Sequence, residues 1–226
     1  MGYVTKKLPL ISVPEGILAK TLGAVRKHAA KATDINDHLE TIFIECLNIQ
    51  PRLIVELGVG DGESTFVLER VAKLWKAKLI SVDIADCKNV SFYRHRMFVQ
   101  KDDIEFARQF RDFCSENHAE PSIDILFIDT SHLYEHTVEE IRDWFPFLAG
   151  RSKVIFHDTN MKETFHRKDG STGLGWDNQR GVIRAIEEHL ESSFDEESDF
   201  VQMAGGWFVR HYAHCSGLMI MDRYEG

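Results

Sequence analysis

A glycine-rich segment, Val55 to Thr65, constrains the fold of this chain more than any other stretch. It reads V-E-L-G-V-G-D-G-E-S-T and overlaps the apolar run Leu53 to Val55, which is typical of a buried parallel strand. Ser64 then opens a helical segment that runs to about Trp75. The glycines let the backbone approach a ligand closely, and a helix N-terminus offers free N–H groups. We therefore expect a nucleotide-like cofactor at this turn.

The spacing of these glycines is not that of a nicotinamide-binding turn. That fingerprint is G-x-G-x-x-G, and counted from Gly58 and Gly60 its third glycine would fall at position 63, which is Glu63. Gly62 gives G-x-G-x-G instead. A nicotinamide-dependent enzyme is therefore disfavoured.

Two acidic residues, Glu56 and Asp83, frame the glycine turn. Glu56 lies inside the first strand, and Asp83 ends the next apolar run, where it is placed to accept hydrogen bonds from ribose hydroxyls. The combination resembles the class I S-adenosylmethionine-dependent methyltransferases, whose first motif ends a strand as E-x-G-x-G-x-G and whose ribose-binding acid ends the second strand. The resemblance implies S-adenosylmethionine as cofactor. The alternative is a glycine-rich turn of an unrelated α/β protein.

Short apolar segments alternate with helical ones along most of the chain. The expected strands are Leu53 to Val55, Leu79 to Asp83, Phe98 to Val99, Ile123 to Ile128 and Val154 to Phe156, followed by Phe200 to Met203, Trp207 to Tyr212 and Leu218 to Met221. Such alternation predicts a parallel sheet with right-handed crossovers, and late strands of this kind commonly add an antiparallel edge. We predict an α/β, Rossmann-like, doubly wound fold with a mostly parallel seven-stranded sheet.

The domain organisation follows from the same pattern. Residues 1–48 are expected to form N-terminal helices that cap the domain, and residues 49–226 to form the S-adenosylmethionine-binding domain. One helix is predicted over 14–30, and a second from an N-cap at Asp34 to Leu47.

The composition narrows the set of partners. The formal net charge of −9 argues against a nucleic-acid substrate, because binding phosphates needs a basic surface. No apolar run reaches membrane-spanning length, and residues 1–11 lack the long apolar core of a signal peptide. The four cysteines are widely spaced, which indicates neither a zinc knuckle nor a disulfide framework. We expect a cytoplasmic protein without a nucleic-acid or membrane partner, and a homo-oligomer is compatible with the sequence.

Polar residues follow every predicted parallel strand, at the edge where open α/β sheets bind ligands. Asp102, after the third strand, is placed to accept a hydrogen bond from the exocyclic amine of adenine. The predicted cofactor-binding residues are Glu56, Gly58, Gly60, Gly62, Ser64, Thr65, Asp83, Asp102 and Asp129.

Two neighbouring strand ends indicate a metal site. Asp129 after the fourth strand and the pair His157-Asp158 after the fifth put two carboxylates and an imidazole within reach of one point, which is typical of a site for a divalent ion such as Mg²⁺. His132 is placed to accept a proton, so Asp129 and His132 are the predicted catalytic residues. The alternative is structural, because an Asp at a strand end often caps the next helix.

The residues of these two segments make the resemblance more specific. F-I-D-T-S-H-L-Y-E-H-T followed by V-I-F-H-D-T looks like the methyltransferases related to the cephalosporin-hydroxylase and macrolide-sugar O-methyltransferase enzymes, and more distantly the catechol O-methyltransferases. In those families an Asp after the fourth strand and an acidic or amide pair after the fifth bind magnesium. Three residues past that Asp stands a catalytic His or Lys, the offset of His132. The pair His157-Asp158 departs from the family pattern, which leaves metal binding open.

The resemblance implies transfer of a methyl group to a hydroxyl of a small molecule, a sugar or a phenol, of natural-product type. Such a transfer needs alignment of oxygen, carbon and sulfur and a means of ionising the acceptor, which a divalent ion at Asp129 and Asp158 and a base at His132 would supply. Two alternatives stay open. One is metal-independent transfer with His132 and His157 as base and orienting group, and the other is a cofactor-binding protein without turnover.

The acceptor-binding residues are the least defined by the sequence. Residues 160–180 lack apolar periodicity, and we predict a structureless loop there, of a length that is usually either a functional lid or disordered. The aromatic candidates for an acceptor pocket are Phe165, Trp176, Trp207 and Phe208, although such residues are more often core.

Overall fold

The computed structural model describes residues 13–224, so the N-terminal residues on which the signal-peptide prediction rests lie outside the described residues. The helices are α1 Glu15–Ala29, α2 Leu39–Leu47, α3 Glu63–Trp75, α4 Asp103–Ala107, α5 Phe110–Glu116, α6 Tyr134–Trp144 and α7 Gly181–Leu190. The strands are β1 Leu53–Leu57, β2 Lys78–Asp83, β3 Arg96–Gln100, β4 Ile123–Ile128, β5 Leu148–His157, β6 Thr164–His166, β7 Thr172–Leu174, β8 Phe200–Ala204, β9 Trp207–Tyr212 and β10 Leu218–Tyr224. Across residues 13–224, no helix combines the length and hydrophobicity needed to cross a bilayer.

One eight-stranded sheet organises the fold, in the order β3-β2-β1-β4-β5-β10-β9-β8. Strands β1 to β5 pair in parallel, whereas β10, β9 and β8 pair antiparallel with their neighbours. The predicted α/β, doubly wound, mostly parallel sheet with an antiparallel edge is confirmed. The predicted count of seven strands is wrong, because all three late strands join the sheet and β10 lies between β5 and β9.

The sheet is covered by helices on both faces. Along β1, Val55 and Leu57 belong to an apolar cluster that also holds side chains of α5, α6 and α7, whereas Ile54 belongs to a second cluster with side chains of α1, α2 and α3. Both faces of β1 are therefore buried, which explains why its sequence is an apolar run rather than an alternation of apolar and polar residues.

The N-terminal helices share this second cluster. Val25 of α1 and Phe43 of α2 are fully buried in it together with Val67 of α3. The predicted N-cap at Asp34 is wrong, because α2 begins at Leu39 after a 3₁₀ turn over Asn36–His38.

Residues 160–180 form a small antiparallel hairpin, β6 with β7, so the prediction of a structureless loop is wrong. Phe165 packs on Gly173, where an added Cβ would lie 2.1 Å from the ring. Two hydrogen bonds fix the hairpin to its surroundings: Arg167 Nε donates to the Thr33 carbonyl at 2.7 Å, and the Cys215 N–H donates to the His166 carbonyl at 3.1 Å. Strands of only three residues leave little periodicity in a sequence.

A buried ionic network ties α2 to the antiparallel edge of the sheet. Lys153 of β5 is 2% exposed, and its Nζ lies 2.8 Å from Glu45 of α2. The same ammonium group pairs with Asp222 of β10, and Arg210 of β9 pairs with both acids. Two cations thus face two carboxylates, so no net charge is buried.

Candidate active site

The glycine turn after β1 is required by close packing. A Cβ at Gly58, whose φ is 82°, would lie 1.8 Å from the Asp129 carbonyl oxygen at the end of β4. A Cβ at Gly62, whose φ is 85°, would lie 2.8 Å from Cβ of Val90. Both positions therefore demand glycine, for backbone conformation and for space.

Glu56 supports the turn from beneath. It is fully buried, and its carboxylate accepts hydrogen bonds from Ser64 and Thr65 at 2.8 Å and from Ser81 at 2.6 Å. Burial raises the pKa of Glu56, and these three hydroxyls offset that rise only in part. The contacts join β1, β2 and the start of α3, so Glu56 and Thr65 hold the turn in shape, while Ser64 also borders a cavity.

Asp83 braces the turn from the end of β2. Its Oδ2 accepts hydrogen bonds from the backbone N–H groups of Val59 at 2.8 Å and Gly60 at 3.1 Å, and its Oδ1 accepts one from Ala85 at 2.8 Å. Burial alone would raise the pKa of Asp83, but these bonds outweigh it and hold the pKa below its usual value. An ionised carboxylate has lone pairs left for ligand hydroxyls.

Two cavities meet at the glycine turn. The β2 cavity, of about 450 Å³, is lined by Gly58, Val59, Gly60, Val82, Asp83, Ile84, Lys101, Asp102, Asp103, Asp129, Thr130, Ser131 and His136. The hairpin cavity, of about 600 Å³, is lined by Lys31, Thr33, Asp34, Ile35, Gly58, Val59, Gly60, Asp61, Glu63, Ser64, Asp129, Phe165, Arg167 and Leu174. Asp129 and the turn border both cavities, which places the crevice at the carboxyl ends of β1, β2 and β4.

Asp102 caps a helix at the rim of the β2 cavity. Its side chain accepts a hydrogen bond from the backbone N–H of Glu105 at 2.9 Å and so caps α4. The helix cap occupies one of its oxygens, and the other remains available to a ligand.

Four side chains converge at the ends of β4 and β5, and we call them the Asp129 cluster: Asp129, His132, His157 and Asp158. His132 Nε2 lies 3.1 Å from Asp129 Oδ1 and 2.9 Å from Asp158 Oδ2. His157 Nδ1 lies 3.4 Å from Asp129 Oδ1 and 3.2 Å from Asp158 Oδ2. Each imidazole therefore faces both carboxylates.

The charges of the Asp129 cluster reinforce one another. Burial alone would lower the pKa of His132, but Asp129 and Asp158 raise it to about 10. The same two carboxylates raise the pKa of His157 well above its usual value against the effect of burial. Conversely, the two imidazoles hold the pKa values of both acids below their usual range although burial opposes this. Without a cation, two imidazolium groups neutralise two carboxylates.

The donor set of the Asp129 cluster fits a divalent metal ion. The ligating atoms of Asp129, His132 and Asp158 all lie within 4.8 Å of one another. Within residues 13–224, Asp158 Oδ1 is buried and has no hydrogen-bond partner. Carboxylate oxygens with one imidazole nitrogen suit a divalent ion that displaces the histidine proton. The structure thus brings Asp129, His157 and Asp158 together and adds His132 as a donor.

Two residues near the crevice, Asp34 and His38, carry no recognisable functional signal in the sequence. Asp34 lines the hairpin cavity and interacts electrostatically with Asp129 and Asp158, but its position before α2 resembled that of a helix cap. His38 lies behind His157, with ring centroids 5.8 Å apart, in a 3₁₀ turn that has no periodic signal.

The four aromatic candidates separate into two pairs. Phe165 lines the hairpin cavity, and the Trp176 ring lies 6.2 Å from that of His132. Trp207 is buried against Phe145 in the core, and Phe208 lies on β9 beside Arg210. Only the first pair is close to the crevice.

Residues 55–159, from β1 to just past the end of β5, match the family model of a methyltransferase domain. The match assigns residues 55–159 to a methyltransferase domain. The match includes the glycine turn, Asp83 and the whole Asp129 cluster. The prediction of an S-adenosylmethionine-dependent methyltransferase is confirmed at this level.

A curated relative is the uncharacterized protein y4gI of Sinorhizobium fredii (strain NBRC 101917 / NGR234). It is 29% identical over 126 residues, which are 51% of this chain and 14% of that protein. The chain therefore matches only 14% of the length of this curated relative.

Solved methyltransferases share the fold over nearly the whole chain. A methyltransferase from Geobacter sulfurreducens has a TM-score of 0.54 at 15% identity, covering 96% of this chain and 92% of its own. An O-methyltransferase from Bacillus cereus in complex with SAH has a TM-score of 0.53 at 12% identity, covering 90% and 91%. The MycE methyltransferase from the mycinamycin biosynthetic pathway, in complex with Mg, SAH and mycinamycin VI, has a TM-score of 0.54 at 16% identity, covering 91% and 54%. At these identities the likeness shows the shared fold.

Proposed function

We propose that this methyltransferase is an O-methyltransferase that transfers the methyl group of S-adenosylmethionine to a hydroxyl of a small molecule, a sugar or a phenol, with the help of a divalent ion. The observation that carries the proposal is the position of Asp129. It borders both cavities and belongs to the carboxylate and histidine cluster, so the two lobes of the crevice meet at the charged group.

The β2 cavity suits the nucleoside part of the cofactor. Asp83 presents an ionised carboxylate to ribose hydroxyls, and Asp102 lies at the rim where it accepts from adenine. The glycine turn between the two cavities lets the rest of the cofactor pass close to the backbone. When bound, S-adenosylmethionine supplies an electrophilic methyl group on a positively charged sulfur.

The hairpin cavity then receives the acceptor. Phe165 and Leu174 offer apolar contacts, and Asp34 offers a carboxylate to a neighbouring hydroxyl. The role of this chain is mainly to hold the acceptor oxygen in line with the methyl group, since alignment supplies much of the rate enhancement in such a displacement.

Asp129, His157 and Asp158 would hold the divalent ion, which would supply a lowered pKa for the acceptor hydroxyl and leave His132 free to accept a proton. His132 is the proposed proton acceptor, with 18% of its side chain exposed, whereas His157 is 1% exposed and serves to orient the carboxylates. Because the two carboxylates keep His132 protonated, it accepts a proton only when other positive charge compensates them. The MycE complex, with Mg and SAH in one structure of this fold, supports the proposal.

A metal-independent enzyme is the second candidate. The ion pairs of His132 and His157 neutralise both carboxylates without any cation, which favours this reading. The two candidates differ in their response to chelation.

The first test is calorimetric titration of the purified protein with SAH, after chelation and again with Mg²⁺. We expect the protein to bind SAH in both cases, with an affinity that changes when Mg²⁺ is added. Asp158→Asn should still bind SAH, but Mg²⁺ should no longer change its affinity. Asp83→Asn should bind SAH about tenfold or more weakly, because it loses a charged hydrogen-bond acceptor. Asp86→Asn, an exposed acid three residues further on, is the matched control.

Turnover is measured as release of SAH from S-adenosylmethionine with a panel of sugars and phenols. Transfer that survives chelation would favour the metal-independent enzyme. Absence of SAH binding in every condition would refute the proposal.

A further inference from the structure

A second group of potential metal ligands lies at the far end of the β2 cavity, and we call it the Glu140 cluster: Asp103, His136 and Glu140. His136 Nε2 lies 2.9 Å from Asp103 Oδ1 and 3.7 Å from Glu140 Oε1. One ligating atom from each of the three side chains lies within 4.8 Å of the others. The cluster shares no side chain with the Asp129 cluster.

The two acids are buried and incompletely paired. The Asp103 side chain is 8% exposed and that of Glu140 is 0% exposed. Within residues 13–224, Asp103 Oδ2 and Glu140 Oε2 are buried and have no hydrogen-bond partner. Thr130 donates to the other Glu140 oxygen at 2.5 Å. Two buried carboxylates that face each other need two compensating positive charges. His136, whose pKa the acids raise to about 9, supplies one of them, and a shared proton would supply the second. A divalent cation would replace both protons.

We propose that Asp103, His136 and Glu140 form a second divalent-metal site, separate from the Asp129 cluster. With a shared proton, the imidazolium pairs with both acids. A divalent cation carries the same charge and contacts one ligand atom of each of the three side chains at once. His136 and Asp103 border the β2 cavity, which gives an ion a path of entry.

The donor atoms define the class of ion. Two carboxylates with one imidazole nitrogen are the same donor set as in the Asp129 cluster, and they suit a divalent ion such as Mn²⁺, which accepts nitrogen as well as oxygen ligands. Thr130 acts as an outer partner by orienting the Glu140 carboxylate. A bound ion would join α4 to α6 beside the nucleoside part of the crevice.

The test counts Mn²⁺ sites on the metal-stripped full-length protein from the loss of the free-ion EPR signal. We expect two ions per chain. Glu140→Gln and His136→Gln should each weaken one site by at least the roughly 10- to 100-fold that loss of even an outer-shell partner costs. Glu139→Gln, a half-exposed acid next to Glu140 on α6, is the matched control and should keep both sites.

Asp158→Asn separates this inference from the proposed function. An ion that Asp158→Asn keeps and Glu140→Gln loses supports the second site, whether or not the Asp129 cluster binds metal. A single ion lost in Asp158→Asn but kept in both Glu140→Gln and His136→Gln overturns it, as does a wild-type protein that binds none. Thermal unfolding of each variant shows whether a lost site reflects a lost fold.

Discussion

His132 and Asp158 adopt a backbone conformation that few residues other than glycine accept. Their φ angles are 58° and 57°, in the left-handed region that costs roughly 1–2 kcal/mol for an ordinary residue. The strained backbones bring His132 Nε2 to 2.9 Å from Asp158 Oδ2. Strain at two residues that meet at one point is typical of functional sites, and this supports a role for the pair beyond packing.

Gly58 allows a sharper test at the same scale. In Gly58→Ala, the new Cβ would lie 1.8 Å from the Asp129 carbonyl oxygen and would also sit on a left-handed backbone. We expect the free energy of unfolding to fall by about 3 kcal/mol or more, and SAH binding to be lost, because β1 and β4 must separate. Urea unfolding and calorimetry measure the two effects.

Gly60→Ala is the control for Gly58→Ala. Gly60 also has a left-handed backbone, with φ of 49°, but its added Cβ would have no atom within 4 Å. Only the conformational cost of about 1–2 kcal/mol should remain. Equal losses in the two variants would contradict the assignment of Gly58 to close packing.

At the scale of elements, the strands with a regular apolar pattern were predictable from the sequence, whereas the segments without such a pattern were not. The ends of β1, β2, β4 and β5 were predictable, because apolar runs followed by Gly, Asp or His mark buried strands that stop at a polar edge. Residues 160–180 were not, because the hairpin is held by contacts across the chain, such as Arg167 with Thr33. The same holds for α2, whose start at Leu39 depends on a preceding 3₁₀ turn rather than on a capping residue.

The candidate site followed the same rule. Asp83 ends β2, and Asp129 and Asp158 directly follow β4 and β5, so the sequence predicted that they lie at the same edge of the sheet. Glu140 lies on α6, where its burial depends on packing against α4, and no strand end marks it.

The buried ionic network between α2 and the antiparallel edge of the sheet allows a prediction about stability. Lys153→Ala leaves Glu45 and Asp222 with one cation instead of two, and we expect it to lower the free energy of unfolding by about 3–5 kcal/mol. Lys73→Ala removes an exposed lysine that pairs with Glu69 one turn earlier on α3, and it should cost no more than about 0.5 kcal/mol. Urea unfolding compares them, and similar values would show that the buried network adds no stability.

At the scale of the whole molecule, seven histidines fall into two classes. Burial lowers the pKa of four of them: His38, His189, His211 and His214. Neighbouring carboxylates raise the pKa of three others: His132, His136 and His157. Below about pH 6.5 the unfolded chain protonates its histidines, whereas histidines of the first class stay neutral in the folded protein. Above about pH 6.5 the unfolded chain releases these protons, whereas histidines of the second class keep theirs in the folded protein.

The two classes therefore act in different pH windows. Between about pH 6.5 and 5, the second class is protonated in both states and adds no slope, so the first class should lower stability as the pH falls. Each excluded proton is worth about 1.4 kcal/mol per pH unit. Glu140, with its pKa raised to about 8, retains one proton in the folded state and opposes the trend by at most one proton. His38→Gln should reduce the slope of the free energy of unfolding against pH by up to the contribution of one proton, because burial lowers the pKa of His38 well below its usual value. Burial also raises the pKa of Glu56 and Asp34, which oppose the trend in the same way. The test is therefore the difference between the wild type and His38→Gln in urea unfolding of the metal-free protein across this window, and equal slopes would contradict the division.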